Sequence, residues 1–236
     1  MFYRIRNFLD TVINLLKWPV AIAMAAGIFP LIQALMFYFE RAVANWNDIT
    51  MFGIGFALMV ACWIFLIRSR NSVAATLEHE ITHALFAMLT FHKVVNIEAS
   101  LGSGGGSMAF KGKGNWLITI APYFFPTLAL AIVLTGGVVS ALAGKPVSWL
   151  AVALGIAIGY HFLAVVFEIH REQTDLQKVG WLFSFLFIPG ANLLSYGLVF
   201  VFVDRGTEGI VYFFRLAAYF AKMDIVSLWQ YAEAFL

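Results

Sequence analysis

Charged residues are scarce in this chain. Asp, Glu, Lys and Arg make up 12% of its 236 residues and hydrophobic residues make up 62%, whereas a typical soluble domain is about 25% charged. The mean hydropathy is +0.86. A net charge of +2, with the basic residues scattered along the chain, provides no concentrated positive surface for nucleic acid. This composition excludes an ordinary soluble domain and indicates an integral membrane protein.

Cysteine is almost absent as well. Cys62 is the single cysteine, so the sequence offers neither an intramolecular disulfide nor a cysteine-based metal site. The glycine run at Gly102–Gly106 lacks the Gly-Lys-Ser/Thr ending of a phosphate-binding loop, which excludes that class of site. No internal repeat or low-complexity linker divides the chain. We therefore expect a single domain over residues 1–236.

Long apolar segments predict an all-α polytopic membrane protein with about five transmembrane helices. Each segment is close to the roughly 20 residues that a helix needs to cross the hydrocarbon core. The five segments are Trp18–Phe39, Met51–Ile67, Trp116–Leu142, Val147–Ile169 and Trp181–Val203.

One segment between these apolar stretches is strongly polar and contains His-Glu-x-x-His at residues 79–83. Positions four apart share a helix face, so His79 and His83 can bind one metal ion. Glu80 would lie beside them, placed to take a proton from a metal-bound water, which is the pattern of zinc hydrolases. The alternative is a polar helix end with two unrelated histidines, but ionisable residues among apolar segments are costly unless they have a function.

The helix carrying this motif is expected at Val73–Phe91. Its first half is too polar to face lipid, so we expect it to be embedded within the protein and to face a wet cavity. If this helix does not cross the membrane, four basic groups fall on one side, which the positive-inside rule makes cytoplasmic together with the N-terminus. These groups are Arg4–Arg6, Arg68–Arg70, Lys111–Lys113 and Arg171–Lys178.

The chain then divides into three parts. Residues 1–70 would form the N-terminal helices and residues 71–203 the catalytic core. Residues 204–236 mix aromatic side chains with charges, which favours a C-terminal tail lying at the membrane interface.

A small β-hairpin is predicted directly after the motif helix. Val94, Val95 and Ile97 are typical of a short strand, Gly102–Gly106 of a turn, and Ser107–Phe110 of a second strand. A hairpin beside the motif helix has a free edge that can bind an extended peptide by strand addition. The residues expected to bind substrate there are Gly104, Gly105, Gly106 and Ser107.

A catalytic zinc ion normally has three protein ligands and one open position. Two come from the motif helix, and the third must come from another part of the chain. Several histidines and carboxylates near the apolar segments qualify, and the residues alone leave the choice open among His92, Glu98, His161, Glu168, His170, Glu172 and Asp175.

Together these residues resemble the site-2 protease family of intramembrane zinc metallopeptidases, in its compact bacterial branch without an extra soluble domain. The resemblance covers roughly residues 76–196. It is carried by His79–His83, Gly104–Gly106, Trp116–Ile118, Ala121–Pro126 and Asp175, which lies 92 residues after His83.

The resemblance implies an enzyme of the bacterial inner membrane that hydrolyses peptide bonds in membrane-embedded peptides or proteins. It implies one Zn²⁺ per chain, held by His79, His83 and Asp175, with Glu80 as the general base. The lipid bilayer and a transmembrane substrate would be its partners.

Two positions depart from the family pattern. The usual Asn-x-x-Pro before an Asp-Gly pair is absent, because Phe167 occupies the approximate Asn position and Leu176 follows Asp175. His170 and Glu168 therefore stay as alternative metal ligands, and Asp175 can instead be only the cap of a helix that starts near Leu176. Two other functions stay open: a catalytically silent membrane protein that binds or regulates, and a membrane zinc hydrolase of another fold.

Overall fold

The computed structural model describes residues 2–42, 46–67, 73–99, 105–143 and 149–233, and it is mostly helical. Nine α-helices lie within these ranges, joined by a two-stranded sheet, a π-helical turn at Trp63–Ile67 and a 3₁₀ turn at Ala121–Tyr123. The α-helices are α1 (Phe2–Leu15), α2 (Lys17–Ala42), α3 (Trp46–Cys62), α4 (Val73–Leu89), α5 (Trp116–Ile120), α6 (Thr127–Ala143), α7 (Trp149–Glu168), α8 (Thr174–Val179) and α9 (Trp181–Glu233).

Four of the described helices are long and apolar enough to cross a membrane, namely α2, α3, α7 and α9. A fifth span results if the bent pair formed by α5 with its 3₁₀ turn and α6 is counted as one. The expectation of a mostly helical chain with about five segments able to cross a membrane is thus confirmed, and their insertion in a membrane stays a prediction. The motif helix α4 is not among the candidate spans. Arg68–Arg70, one of the four basic groups predicted on the cytoplasmic side, lies outside the described residues.

Glycines allow the long helices to approach each other backbone to backbone, as is common between helices in membranes. A side chain at Gly155 would collide with the carbonyl of Phe52, and one at Gly55 with the carbonyl of Val152, so α3 and α7 pack without intervening side chains. Gly190 of α9 meets the carbonyl of Met24 on α2 in the same way. These two pairs form the frame around the shorter elements.

The predicted hairpin is confirmed. Strand β1 (Lys93–Ala99) pairs antiparallel with β2 (Gly106–Lys111), and a bulge lies between Val94 and Asn96. The predicted turn residues Gly102–Gly104 lie outside the described residues.

The predicted span at Trp116–Leu142 is sharply broken. Pro122 and Pro126 flank the break, where α5 and its 3₁₀ turn meet α6 at 79°. Proline lacks the N–H that a continuing helix needs, which explains why the helix ends there. This bend places α5 beside α4 and α8, around the site described below.

Helix α9 changes direction at Arg205 and Gly206, whose backbone is non-helical, with Gly206 at φ 57°. After this kink Gly209 lies against the carbonyl of Val201, so the chain doubles back. Phe213 then packs in a cluster with Tyr38 of α2. The C-terminal part is thus helical to Glu233, and its interfacial placement stays a prediction.

Candidate metal centre

The two motif histidines lie on one face of α4, as their spacing predicts. Both are buried, and the Nε2 atoms of His79 and His83 are 3.1 Å apart. Ala84 and Ala87 of the same helix are also buried, so the side of α4 that carries the motif is packed against the protein, whereas Leu77, Ile81 and Met88 are exposed on another side.

Helix α8 brings a carboxylate to these two nitrogens. Asp175 Oδ2 lies 3.1 Å from His83 Nε2 and 3.4 Å from His79 Nε2. Ligands at about 2.0–2.1 Å from a tetrahedral ion would be roughly 3.3 Å from one another. His79, His83 and Asp175 therefore form a group that can hold a metal ion, and their ligand atoms lie within 4.8 Å of one another.

The second nitrogen of each ring is already engaged. His79 Nδ1 donates to Glu168 Oε2 at 2.9 Å, and His83 Nδ1 donates to the carbonyl of Ile118 at 2.7 Å. Since both partners accept, the Nδ1 atoms carry the protons and the Nε2 lone pairs face each other and Asp175. Three electron-pair donors at such distances repel unless positive charge lies among them, so the donor set fits a metal cation.

The pKa values of His79 and Asp175 also indicate a site that favours positive charge. Burial alone lowers the pKa of His79, but the neighbouring carboxylates of Asp175 and Glu168 raise it well above its usual range. Burial alone raises the pKa of Asp175, but the neighbouring imidazoles of His79 and His83 hold it well below its usual range. The surroundings thus keep Asp175 ionised and favour a cation beside it.

Glu80 is buried next to the His79, His83 and Asp175 group and lines the cavity that opens onto it. Burial raises the pKa of its carboxyl group, which makes it a stronger base than an exposed glutamate. Gly106 of β2 lies directly against it, because a Cβ there would be 2.9 Å from Glu80 Cγ and 2.5 Å from Thr76 Cγ2. The hairpin and α4 are therefore in contact at the glutamate itself.

A cavity of about 780 Å³ opens onto the metal-ligand group. Of the predicted substrate-binding residues, Gly105, Gly106 and Ser107 line it, and Gly104 lies outside the described residues. Its other walls are α4, the start of α5 and the polar segment 167–178. Of the two strands, β2 lines the cavity and β1 does not, as far as the described residues go.

The other candidate ligands lie elsewhere or have another role. Glu168 accepts a hydrogen bond from His79 Nδ1, on the side of the ring away from Asp175, and is not part of the metal-ligand group. His170 and Glu172 line the cavity wall. His92 is bonded to Asp10, His161 to Tyr196, and Glu98 to Asn96 on the exposed face of β1.

Two aromatic residues complete the surroundings. Tyr123 presents its ring edge-on to His79, with centroids 5.4 Å apart, and Gln173 donates a hydrogen bond to its hydroxyl group. Phe167, at the approximate position of the family's Asn, stacks on Trp63 at 5.5 Å. Sequence reasoning did not single out Tyr123 or Gln173, although both lie within the segments that it named.

The contact between Glu168 and His79 leads to a prediction. Glu168→Gln can still accept the His79 Nδ1 proton through its amide oxygen but loses the negative charge, so metal affinity should fall by roughly 10–100-fold. Competition with a fluorescent zinc chelator measures this loss. Glu172→Gln, an exposed carboxylate on the same cavity wall, is the matched control and should bind zinc as the unaltered protein does.

No family model matches the chain, and neither a curated protein nor a solved structure matches it. The fold and the site define its class as a mostly helical protein with four or five helices able to cross a membrane and a His/His/carboxylate group that can hold a metal ion.

Proposed function

We propose that this protein is an intramembrane zinc metallopeptidase of the site-2 protease type. The proposal rests on one observation: His79, His83 and Asp175 lie together beside Glu80. All four residues line a cavity that is also lined by strand β2. Two imidazoles and one carboxylate are a common ligand set of catalytic zinc. The described part of the same chain contains four helices long and apolar enough to cross a bilayer, and one of them, α7, ends at Glu168 beside His79.

Zinc bound there would polarise the scissile carbonyl and make a water molecule acidic enough to act as a nucleophile near neutral pH. The residues of the chain supply the rest. Glu80 accepts the proton of the attacking water and returns it to the leaving amine. Glu168 and the Ile118 carbonyl fix the two imidazoles with their Nε2 atoms directed at each other and at Asp175, the three groups that would hold the ion.

The strand edge supports an extended peptide as substrate. Among the described residues, no backbone hydrogen bond joins the far edge of β2 to another element. A substrate strand can add to that edge and pass Glu80, which Gly106 touches. A transmembrane helix must unwind before its peptide bonds can pair in this way, so small or helix-breaking residues at the cleavage point should favour hydrolysis.

The location follows from the same proposal. A multi-pass protein of the bacterial inner membrane with a cytoplasmic N-terminus would place the basic groups of the sequence on one side. The substrate would then reach the cavity from within the bilayer, and water would reach it from the cytoplasmic side.

Metal removal tests the proposal directly. Protein purified in detergent should contain one zinc equivalent and cleave a transmembrane peptide carrying a fluorophore and a quencher. A zinc chelator should abolish cleavage, and added Zn²⁺ should restore it. If the protein holds zinc but cleaves none of a panel of such peptides, it is instead a catalytically silent membrane protein. The missing Asn-x-x-Pro is the sequence feature that favours this alternative.

A further inference from the structure

Helix α1 has an unusual orientation on the protein. Its one fully buried residue is Asp10, which is 6% exposed, whereas Phe2, Phe8 and Leu15 are 72%, 66% and 77% exposed. An ordinary surface helix buries its apolar face and exposes its charges. The buried aspartate therefore indicates that polar contacts, together with the packing of Ile13 against the core, attach α1 to the rest of the protein.

Asp10 joins the two ends of the hairpin segment. His92 Nε2 donates to Asp10 Oδ2 at 3.2 Å, and Asn115 Nδ2 donates to Asp10 Oδ1 at 2.7 Å. His92 immediately precedes β1, and Asn115 follows β2 by four residues. Both partners are buried. One carboxylate thus holds the chain where it enters the hairpin and where it leaves.

The residues one turn before and after Asp10 make parallel contacts. Arg6 donates to the carbonyl of Lys111 at 3.0 Å, at the end of β2. Asn14 accepts from the backbone N–H of Trp116 at 3.1 Å. Positions 6, 10 and 14 share one helix face. The face of α1 formed by Arg6, Asp10 and Asn14 is therefore directed at the base of the hairpin.

We propose that α1 is a clamp on the hairpin and that Asp10 is a positioning residue for the site. The clamp fixes the base of the hairpin, and through it the position of β2 beside Glu80, where Gly106 makes contact. The effect on catalysis rests on the proposed peptidase function, whereas the effect on the hairpin position does not.

The chemistry of Asp10 predicts a graded series of variants. A carboxylate has acceptors for both donors, an asparagine can accept from only one of them, and an alanine from neither. Hairpin mobility should therefore increase from Asp10 to Asp10→Asn to Asp10→Ala. Thr11→Ala is the matched control, because Thr11 is exposed and, within the described part of the chain, its hydroxyl group donates a hydrogen bond only to the carbonyl of Asn7 in its own helix.

The experiment measures the distance between spin labels at Glu98→Cys on β1 and Gln177→Cys on α8, in a Cys62→Ser background. Pulsed electron resonance should give a narrow distance distribution for the parent and for Thr11→Ala, and a clearly broader or shifted one for Asp10→Ala. An unchanged distribution in Asp10→Ala would overturn the clamp. If Asp10→Ala does not fold, the same comparison with Asp10→Asn decides.

Zinc content and steady-state kinetics of Asp10→Ala distinguish a positioning role of Asp10 from a general loss of structure. Asp10→Ala should keep its zinc, because none of the three ligands lies on the hairpin, while kcat/KM falls about tenfold or more, mainly through KM. A parallel loss of zinc would show that Asp10 supports the whole core and would overturn the positioning role. If no version of the protein cleaves peptides, the peptidase proposal fails while the distance measurement still decides the clamp.

Discussion

Glu80→Gln should abolish peptide hydrolysis while the protein keeps its fold and its zinc. Glutamine has nearly the same shape as glutamate but cannot accept a proton from water, and general base catalysis contributes roughly 10²–10⁴-fold. Glu80 is outside the ligand group, so the metal should stay. Cleavage of the quenched transmembrane peptide and zinc content, both measured on one preparation, provide the readout.

Two further variants serve as controls for Glu80→Gln. Glu172→Gln makes the same chemical change on the cavity wall and should leave cleavage unchanged. His83→Ala removes a ligand and should lose zinc together with activity. If Glu80→Gln cleaved at the rate of the unaltered protein, Glu80 could not be the general base.

Asp175→Ala should remove zinc almost completely and with it all hydrolysis. The carboxylate is the one ligand outside α4, and its loss leaves two imidazoles, which hold zinc poorly. The decrease in affinity should exceed the roughly 10–100-fold expected for a residue that only supports a ligand. Zinc per chain, measured by mass spectrometry after dialysis against a weak chelator, gives the answer.

The structure sharpens this prediction. A helix starting near Leu176 would make Asp175 its cap, with a loss of only about 1 kcal/mol on substitution. The predicted start of this helix is wrong. Helix α8 begins at Thr174 with Gln173 as its N-cap, so Asp175 lies within the first turn and is not the cap. Gln177→Ala on the same helix is the control. A full zinc equivalent with normal cleavage in Asp175→Ala would remove it from the ligand set, and Glu168 and His170 would be tested next.

Local patterns in the sequence predicted what depends on local geometry. The four-residue spacing of His79 and His83 was enough to place both rings on one helix face, since helical periodicity is a property of the backbone. Two short strand-like segments on either side of a glycine run likewise predicted the hairpin. The apolar segments predicted the spans because the thickness of the bilayer sets their length.

Contacts between distant segments could not be predicted from such patterns. Asp175 meets His83 across 92 residues, and its selection from seven candidates depended on resemblance rather than on spacing. The contact of Glu168 with the outer nitrogen of His79 was missed, since sequence alone cannot distinguish a ligand from a residue behind one. Asp10 was missed as well, because α1 has the composition of a helix that would bury its other face.

The break between α5 and α6 has a consequence for the chemistry of His83. In an uninterrupted α-helix the carbonyl of Ile118 would accept the N–H of residue 122. That residue is Pro122, which has no N–H, so the carbonyl is left without its helical partner and takes the Nδ1 proton of His83 instead. The imidazole must then direct its lone pair from Nε2 towards Asp175. A helix-breaking residue outside the candidate ligand group thus selects which tautomer of a histidine on another helix is present.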